Sequence, residues 1–136
     1  MTVADLELEP VACVQPGTSL AQAARVLAAT GQGVLAVETV PLAEVTEADV
    51  VEALASGRSP VTHLVEIPRG APQFVRPDTA ADDAAAIMIV TGRRALIVVD
   101  EGRALGALTL REAIGALWGG KSWLGALRIA LHVEQA

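Results

Sequence analysis

Residues 14–37, "VQPGTSLAQAARVLAATGQGVLAV", decide the fold, because the chain repeats their pattern at residues 75–98, "VRPDTAADDAAAIMIVTGRRALIV". The matched positions in the first copy, each repeated 61 residues later, are Pro16, Thr18, Gly31 and Val37. Self-similarity at a fixed period indicates two copies of one structural unit. The stretch therefore predicts a tandem repeat.

Each copy predicts the order strand, helix, strand, strand, helix. The lead-in to the proline is extended, since proline disfavours helix in the preceding residue. Apolar residues at helical spacing predict helices over 19–30 and 80–91, each ended by a glycine, Gly31 or Gly92, in the left-handed conformation. Short strands are predicted at 34–37, 42–45, 95–99 and 104–108, with Glu101-Gly102 in the second hairpin turn. A second helix follows at Thr46 and again at Thr109.

This order predicts a mixed α+β fold, in which two β-α-β-β-α repeats pack as a pseudo-twofold pair. One repeat could not cover both faces of its own sheet, so the two copies should pack together. We place the first repeat at residues 1–60, the second at 61–118 and an extension at 119–136. The extension is predicted to be an extra C-terminal helix, because Trp123, Leu127 and Leu131 share one helical face.

The composition excludes several classes of function. The formal charge of the 136-residue chain is −6, and there is no basic run of the kind that binds nucleic acid. A single cysteine, Cys13, excludes an internal disulfide framework and is typical of a reducing compartment. There is no signal-peptide pattern and no apolar run of about 18 residues. We expect a cytoplasmic protein without a membrane or nucleic-acid partner.

The junction between strand and helix repeats a hydroxyl and a carboxylate three residues apart. The first copy reads "AEVTEAD" at 43–49, with Thr46 and Asp49, and the second reads "GALTLRE" at 106–112, with Thr109 and Glu112. Taken alone, this spacing is that of a capping box, in which the Thr hydroxyl accepts a backbone N–H of the first turn and the carboxylate accepts the backbone N–H of the Thr itself. The spacing is compatible with a purely structural role.

The matched lead-ins, strands and junctions resemble those of the CBS domain, and the tandem arrangement over residues 10–117 resembles a Bateman module. The resemblance implies that the junction Thr faces a ligand phosphate or ribose and that the Asp binds the ribose hydroxyls. Asp49 is the family's residue, whereas Glu112 is more typical of a capping box and is interpreted as mainly structural. The first junction also departs from the family pattern, because Ala43 stands where the family has Gly.

The resemblance also implies that each site combines the junction of one copy with the lead-in and second strand of the other. The cleft of Thr46 and Asp49 should then be closed by Arg93 and Arg94, whose guanidinium groups suit phosphates. The alternative is that both are ordinary solvated charges at a strand start. Gln32 and Gly33 hold the equivalent positions for the cleft of Thr109 and Glu112. Arg76 is a weaker phosphate candidate.

No catalytic or metal site is predicted. His63 and Glu66 lie in a turn-rich linker without a third ligand, and no phosphate-binding glycine loop or catalytic triad is present. The resemblance implies a stand-alone CBS-pair sensor without enzymatic activity or a catalytic cofactor, which binds AMP, ADP, ATP or a related adenosyl ligand. It also implies a homodimer and an unknown regulated protein. The alternative is a degenerate pair that binds no nucleotide and acts in dimerisation or docking.

Overall fold

The structure is a computed structural model, and it describes residues 1–118. In chain order the elements are β1 (Cys13–Val14), α1 (Leu20–Thr30), β2 (Val34–Val37), β3 (Ala43–Thr46), α2 (Glu47–Ala55), α3 (Ala81–Thr91), β4 (Ala95–Asp100), β5 (Arg103–Thr109) and α4 (Leu110–Trp118). Short 3-10 helices span Val3–Asp5 and Leu64–Glu66. The predicted C-terminal helix at 119–136 lies outside the described residues.

Local sequence signals account for the limits of the first helix in each repeat. Ser19 caps α1 by accepting a hydrogen bond from the Gln22 N–H, and the Gln22 side chain completes the capping box. Both helices end on a glycine in the left-handed region, Gly31 with φ 67° and Gly92 with φ 70°. The predicted helices, and the turn at Glu101-Gly102, are therefore confirmed to within one residue.

The two repeats form separate sheets of the same design. β1, β2 and β3 lie in that order, with β1 parallel and β3 antiparallel to the central strand. In the second repeat β4 and β5 are antiparallel, and Val75 bridges Val98 in parallel, as Val14 pairs with Val37. The lead-in of the second copy is thus a single bridge, whereas that of the first copy is a two-residue strand.

Each hydrophobic core incorporates a segment from the other part of the chain. Val3 and Leu6 are buried among the residues of α3, β4 and β5, and the Val3 N–H donates to the Thr79 carbonyl at 2.9 Å. In return Leu64 and Ile67 are buried in the core of the first repeat. Burying a side chain of this size contributes about 1.5–3 kcal/mol. This exchange ties the two repeats together.

A third apolar cluster joins the sheets. It contains Val34 and Ala36 of β2, Ala95 and Ile97 of β4, and Ala107 of β5, all nearly inaccessible. These residues are small or β-branched, which lets the backbones of the two sheets approach closely. The chain has few aromatic side chains that could fill a wider gap between the sheets. The mixed α+β fold with two packed repeats is confirmed. None of the helices in residues 1–118 is both long and apolar enough to span a membrane.

Candidate functional site

A cleft of about 310 Å³ lies where the two repeats meet, and we call it the first cleft. Three segments line it: the start of β2, the β3–α2 junction, and the end of α3 with the start of β4. Its residues are Gln32, Gly33, Val34, Thr46, Glu47, Ala48, Thr91, Gly92, Arg93, Arg94 and Ala95. The structure therefore brings Thr46 together with Arg93 and Arg94, as the resemblance implies.

The junction at Thr46 has the geometry of a capping box. The Thr46 Oγ1 accepts from the Asp49 N–H at 3.2 Å, and Asp49 Oδ2 accepts from the Thr46 N–H at 2.9 Å. The Glu47 N–H donates to the Gly33 carbonyl, which fixes the start of α2 against β2. Asp49 is partly buried and is not among the residues that line the cleft. Its role in ribose binding stays a prediction.

Arg94 is held at the cleft by an exposed ion pair. Its Nη2 lies 2.8 Å from Glu47 Oε1, and the two side chains are 58% and 49% exposed. The guanidinium group also lies against Gly33, where an added Cβ would be 3.0 Å from Nη2. Exposed ion pairs contribute only about 0–1 kcal/mol, so a ligand anion could replace Glu47 at little cost.

Arg93 is engaged in a buried ion pair. Its Nη1 lies 2.7 Å from Glu44 Oε1, and the side chains of Arg93 and Glu44 are 22% and 2% exposed. The same Oε1 accepts from the Gln73 N–H at 2.7 Å, while Oε2 has no hydrogen-bond partner within the described part of the chain. Arg93 is thus committed to neutralising a buried carboxylate, which makes it a poorer phosphate ligand than Arg94.

A second cleft, of about 600 Å³, lies at the junction of the second repeat. Its lining residues are Glu7, Leu8, Glu9, Pro10, Thr109, Arg111, Glu112 and Gly115. Glu112 Oε1 accepts from the Glu7 N–H at 3.1 Å, and the Glu112 N–H donates to Thr109 Oγ1 at 3.2 Å. Glu112 therefore holds the N-terminal segment in place. In contrast to the prediction, Gln32 and Gly33 line the first cleft, and residues 7–10 close the second one.

The remaining sequence candidates lie elsewhere. Arg76 is exposed and pairs with Asp78 at 3.4 Å and Asp100 at 3.8 Å, and it lines neither cleft. Glu66 Oε2 accepts from the His63 N–H as a local cap. Within residues 1–118 no group of three or more His, Cys, Asp or Glu residues could hold a metal ion.

Sequence reasoning missed the two carboxylates that pair with the arginines, Glu44 and Glu47. Glu44 lies inside a strand between apolar neighbours, and such a charge is a signal of a buried partner, because an unpaired charge is rarely buried. Glu47 at the first position of α2 is indistinguishable in sequence from an ordinary helix-start acid.

A family model matches the second repeat. Residues 64–119 match the family model described as the CBS domain. The second repeat is therefore similar to a CBS domain over most of its length. A comparison with curated proteins gives no match.

Solved structures extend the likeness to nearly the whole chain. CBSX2 in complex with AMP is 27% identical with a TM-score of 0.64, over 85% of this chain and 95% of that chain. A CBS-domain protein of Agrobacterium tumefaciens is 24% identical with a TM-score of 0.66, over 86% and 99%. A CBS-domain pair in complex with 5′-methylthioadenosine and S-adenosyl-L-methionine is 24% identical with a TM-score of 0.65, over 88% and 100%. The fold of this chain is that of a CBS-domain pair.

Proposed function

We propose that this protein is a regulatory sensor that binds an adenine nucleotide or another adenosyl ligand in the first cleft. The observation that carries the proposal is the convergence, in one cavity, of the Thr46 helix start from one repeat and Arg94 from the other. A volume of about 310 Å³ lies at the lower end of the range of about 300–1,000 Å³ for small-molecule sites.

The anionic group and the base of the ligand have counterparts among the lining residues, and the ribose has one in Asp49, which follows the lining residue Ala48 in the chain. The anionic group would lie between Arg94 and the start of α2, where the helix dipole favours negative charge. The base would lie against the apolar side chains of Val34 and Ala95, which line the same cleft. The ribose hydroxyls would bind Asp49, whose Oδ1 is not used by the capping box. The ligand would thus contact both repeats.

The solved structures support this proposal. CBSX2 was solved in complex with AMP, and a second CBS pair was solved with two adenosyl compounds. A cytoplasmic location, a homodimer, the absence of enzymatic activity and an unidentified regulated protein belong to the same proposal. The exposed apolar side chains of Ile89 and Val90 on α3 favour self-association, because soluble proteins usually cover adjacent apolar residues.

The second candidate function is that of a docking subunit that binds no nucleotide. The observation that favours it is that both guanidinium groups of the first cleft are already paired with carboxylates. The carboxylate of Asp49 is also engaged in a cap. Under this alternative the same contacts would serve only to join the two repeats.

Thermal unfolding and calorimetric titration with AMP, ADP, ATP, S-adenosylmethionine and adenosine test the proposal. A ligand that binds only the folded state adds about 2.7 kcal/mol at a hundredfold excess over its Kd. We expect Arg94→Gln to weaken AMP much more than adenosine, and Asp49→Ala to weaken both. Arg25→Gln, on the exposed face of α1, is the matched control and should leave both affinities unchanged. Thermal unfolding that no compound shifts at millimolar concentration would favour the docking subunit.

A further inference from the structure

We propose that Glu47 is a specificity-determining residue of the first cleft, which selects adenosyl ligands with a single anionic group in the tail over polyphosphates. The inference rests on the proposed function, because it concerns which adenosyl compound the cleft accepts. It assigns a role to a carboxylate that the CBS resemblance does not mark.

The position of Glu47 puts a negative charge of the protein at the place where a ligand anion would bind. Glu47 is the first residue of α2, and its carboxylate accepts from Arg94 Nη2 at 2.8 Å. With half of its side chain exposed, it lines the cleft and can move aside. The carboxylate stays near the cleft even when the side chain moves aside, because the Glu47 backbone N–H is hydrogen-bonded to the Gly33 carbonyl.

Each cation that lines the first cleft is paired with a carboxylate. Two cations, Arg93 and Arg94, are matched by two carboxylates, Glu44 and Glu47, at 2.7 and 2.8 Å. Arg93 is committed to a carboxylate that is 2% exposed, so it cannot serve a ligand without leaving that charge buried and unpaired. Of the two lining arginines, only Arg94 can therefore exchange its carboxylate partner in the protein for an anionic group of a ligand.

One arginine that can change its partner is enough to bind one anionic group of a ligand. A monophosphate or a carboxylate can take the place of Glu47 at Arg94. An amino-acid tail can do the same and place its ammonium group beside the displaced Glu47. A triphosphate would bring further negative charges close to Glu47, and among the described residues no lining cation would be left to pair with them. Coulomb repulsion between charges a few ångströms apart is strong enough to lower the affinity.

The second cleft does not offer a better site for a polyphosphate. Three of its lining residues are the carboxylates Glu7, Glu9 and Glu112, against one cation, Arg111. The geometry therefore points to AMP or to an adenosyl compound with an amino-acid tail, and the two are distinguished by the response of each to the loss of the Glu47 charge.

The experiment is a set of titrations at constant ionic strength. Adenosine, AMP, S-adenosylmethionine and ATP are each titrated into the wild-type protein, Glu47→Gln and the control Glu52→Gln, an exposed acid on the same helix. We expect the wild-type protein to bind ATP more weakly than AMP. Glu47→Gln should raise the affinity for ATP about fivefold or more relative to adenosine, whereas Glu52→Gln should leave the ratio unchanged. A fall in S-adenosylmethionine affinity in Glu47→Gln identifies the amino-acid tail as a ligand of Glu47.

Tighter binding of ATP than of AMP by the wild-type protein would overturn the inference while leaving the proposed function intact. The same holds if Glu47→Gln and Glu52→Gln give the same ratio of ATP to adenosine affinity. Failure of all four compounds to bind would overturn the proposed function and, with it, the role of Glu47. Melting temperatures of the variants without ligand show that each is folded.

Discussion

The buried pair between Arg93 and Glu44 predicts a large loss of stability in Arg93→Met. The substitution keeps an apolar stem but removes the cation that faces Glu44 Oε1 at 2.7 Å. The Glu44 side chain is 2% exposed, so water has little access to its carboxylate. Removing one partner of a buried ion pair costs about 3–5 kcal/mol, because the other charge remains buried and unpaired.

The reciprocal substitution should cost less. Glu44→Gln leaves behind a guanidinium group that is 22% exposed and can be hydrated, and the new amide oxygen can still accept from the Gln73 N–H. The matched control is Arg94→Met, which breaks an ion pair between half-exposed side chains and should cost only about 0–1 kcal/mol.

Urea unfolding without ligand, followed by far-UV circular dichroism, measures all three variants and the double variant Glu44→Gln with Arg93→Met. For a chain of this size the loss in Arg93→Met corresponds to a melting temperature lower by roughly 10–20 °C. The double variant should recover part of the loss, because the neutral amide that replaces the Glu44 carboxylate needs no counter-charge. Its effect should differ from the sum of the two single effects by a coupling energy of about 0.5–3 kcal/mol. Equal effects of Arg93→Met and Arg94→Met, or additive effects in the double variant, would refute the reasoning.

Two further predictions concern a close backbone contact and the single thiol. A Cβ on Gly106 would lie 2.9 Å from the Glu9 carbonyl oxygen, so Gly106→Ala should lower the free energy of unfolding by about 1–3 kcal/mol. Gly17→Ala, with no atom within 4 Å of the new Cβ, is the control, and equal urea midpoints would contradict the prediction. Burial and, to a smaller extent, the charge of Glu38 raise the pKa of the Cys13 thiol. The thiolate fraction, and with it the alkylation rate, should therefore increase at a higher pH than for an ordinary thiol. Glu38→Gln should lower this pKa and speed alkylation by iodoacetamide at pH 8, and an unchanged rate would show that Glu38 has no such effect.

The sequence by itself determined the elements of this protein and, through the resemblance, the fold they form. Helix ends at Gly31 and Gly92 follow from the backbone freedom of glycine, and the start of α2 follows from a hydroxyl and a carboxylate three residues apart, as in any capping box. These are local rules, which act over a few residues and can be recognised in the letters. The duplication then extends them to the second repeat.

The sequence also predicted part of the first cleft, namely that Arg93 and Arg94 lie near Thr46, but it did so through the resemblance and not through local rules. The partners of these arginines are Glu44 and Glu47, 49 and 47 residues away in the chain. Which of the many carboxylates pairs with which cation depends on the packing of one repeat against the other, and no local pattern records it.

Only the tertiary structure decided which segments complete each repeat. Val3 and Leu6 are buried in the second core, Leu64 and Ile67 are buried in the first, and Glu112 holds the Glu7 N–H across 105 residues. Periodicity shows that a residue will be buried but does not show against which element. The reason is physical, because apolar burial is non-directional and each segment contributes the same transfer free energy in any core that has room for it.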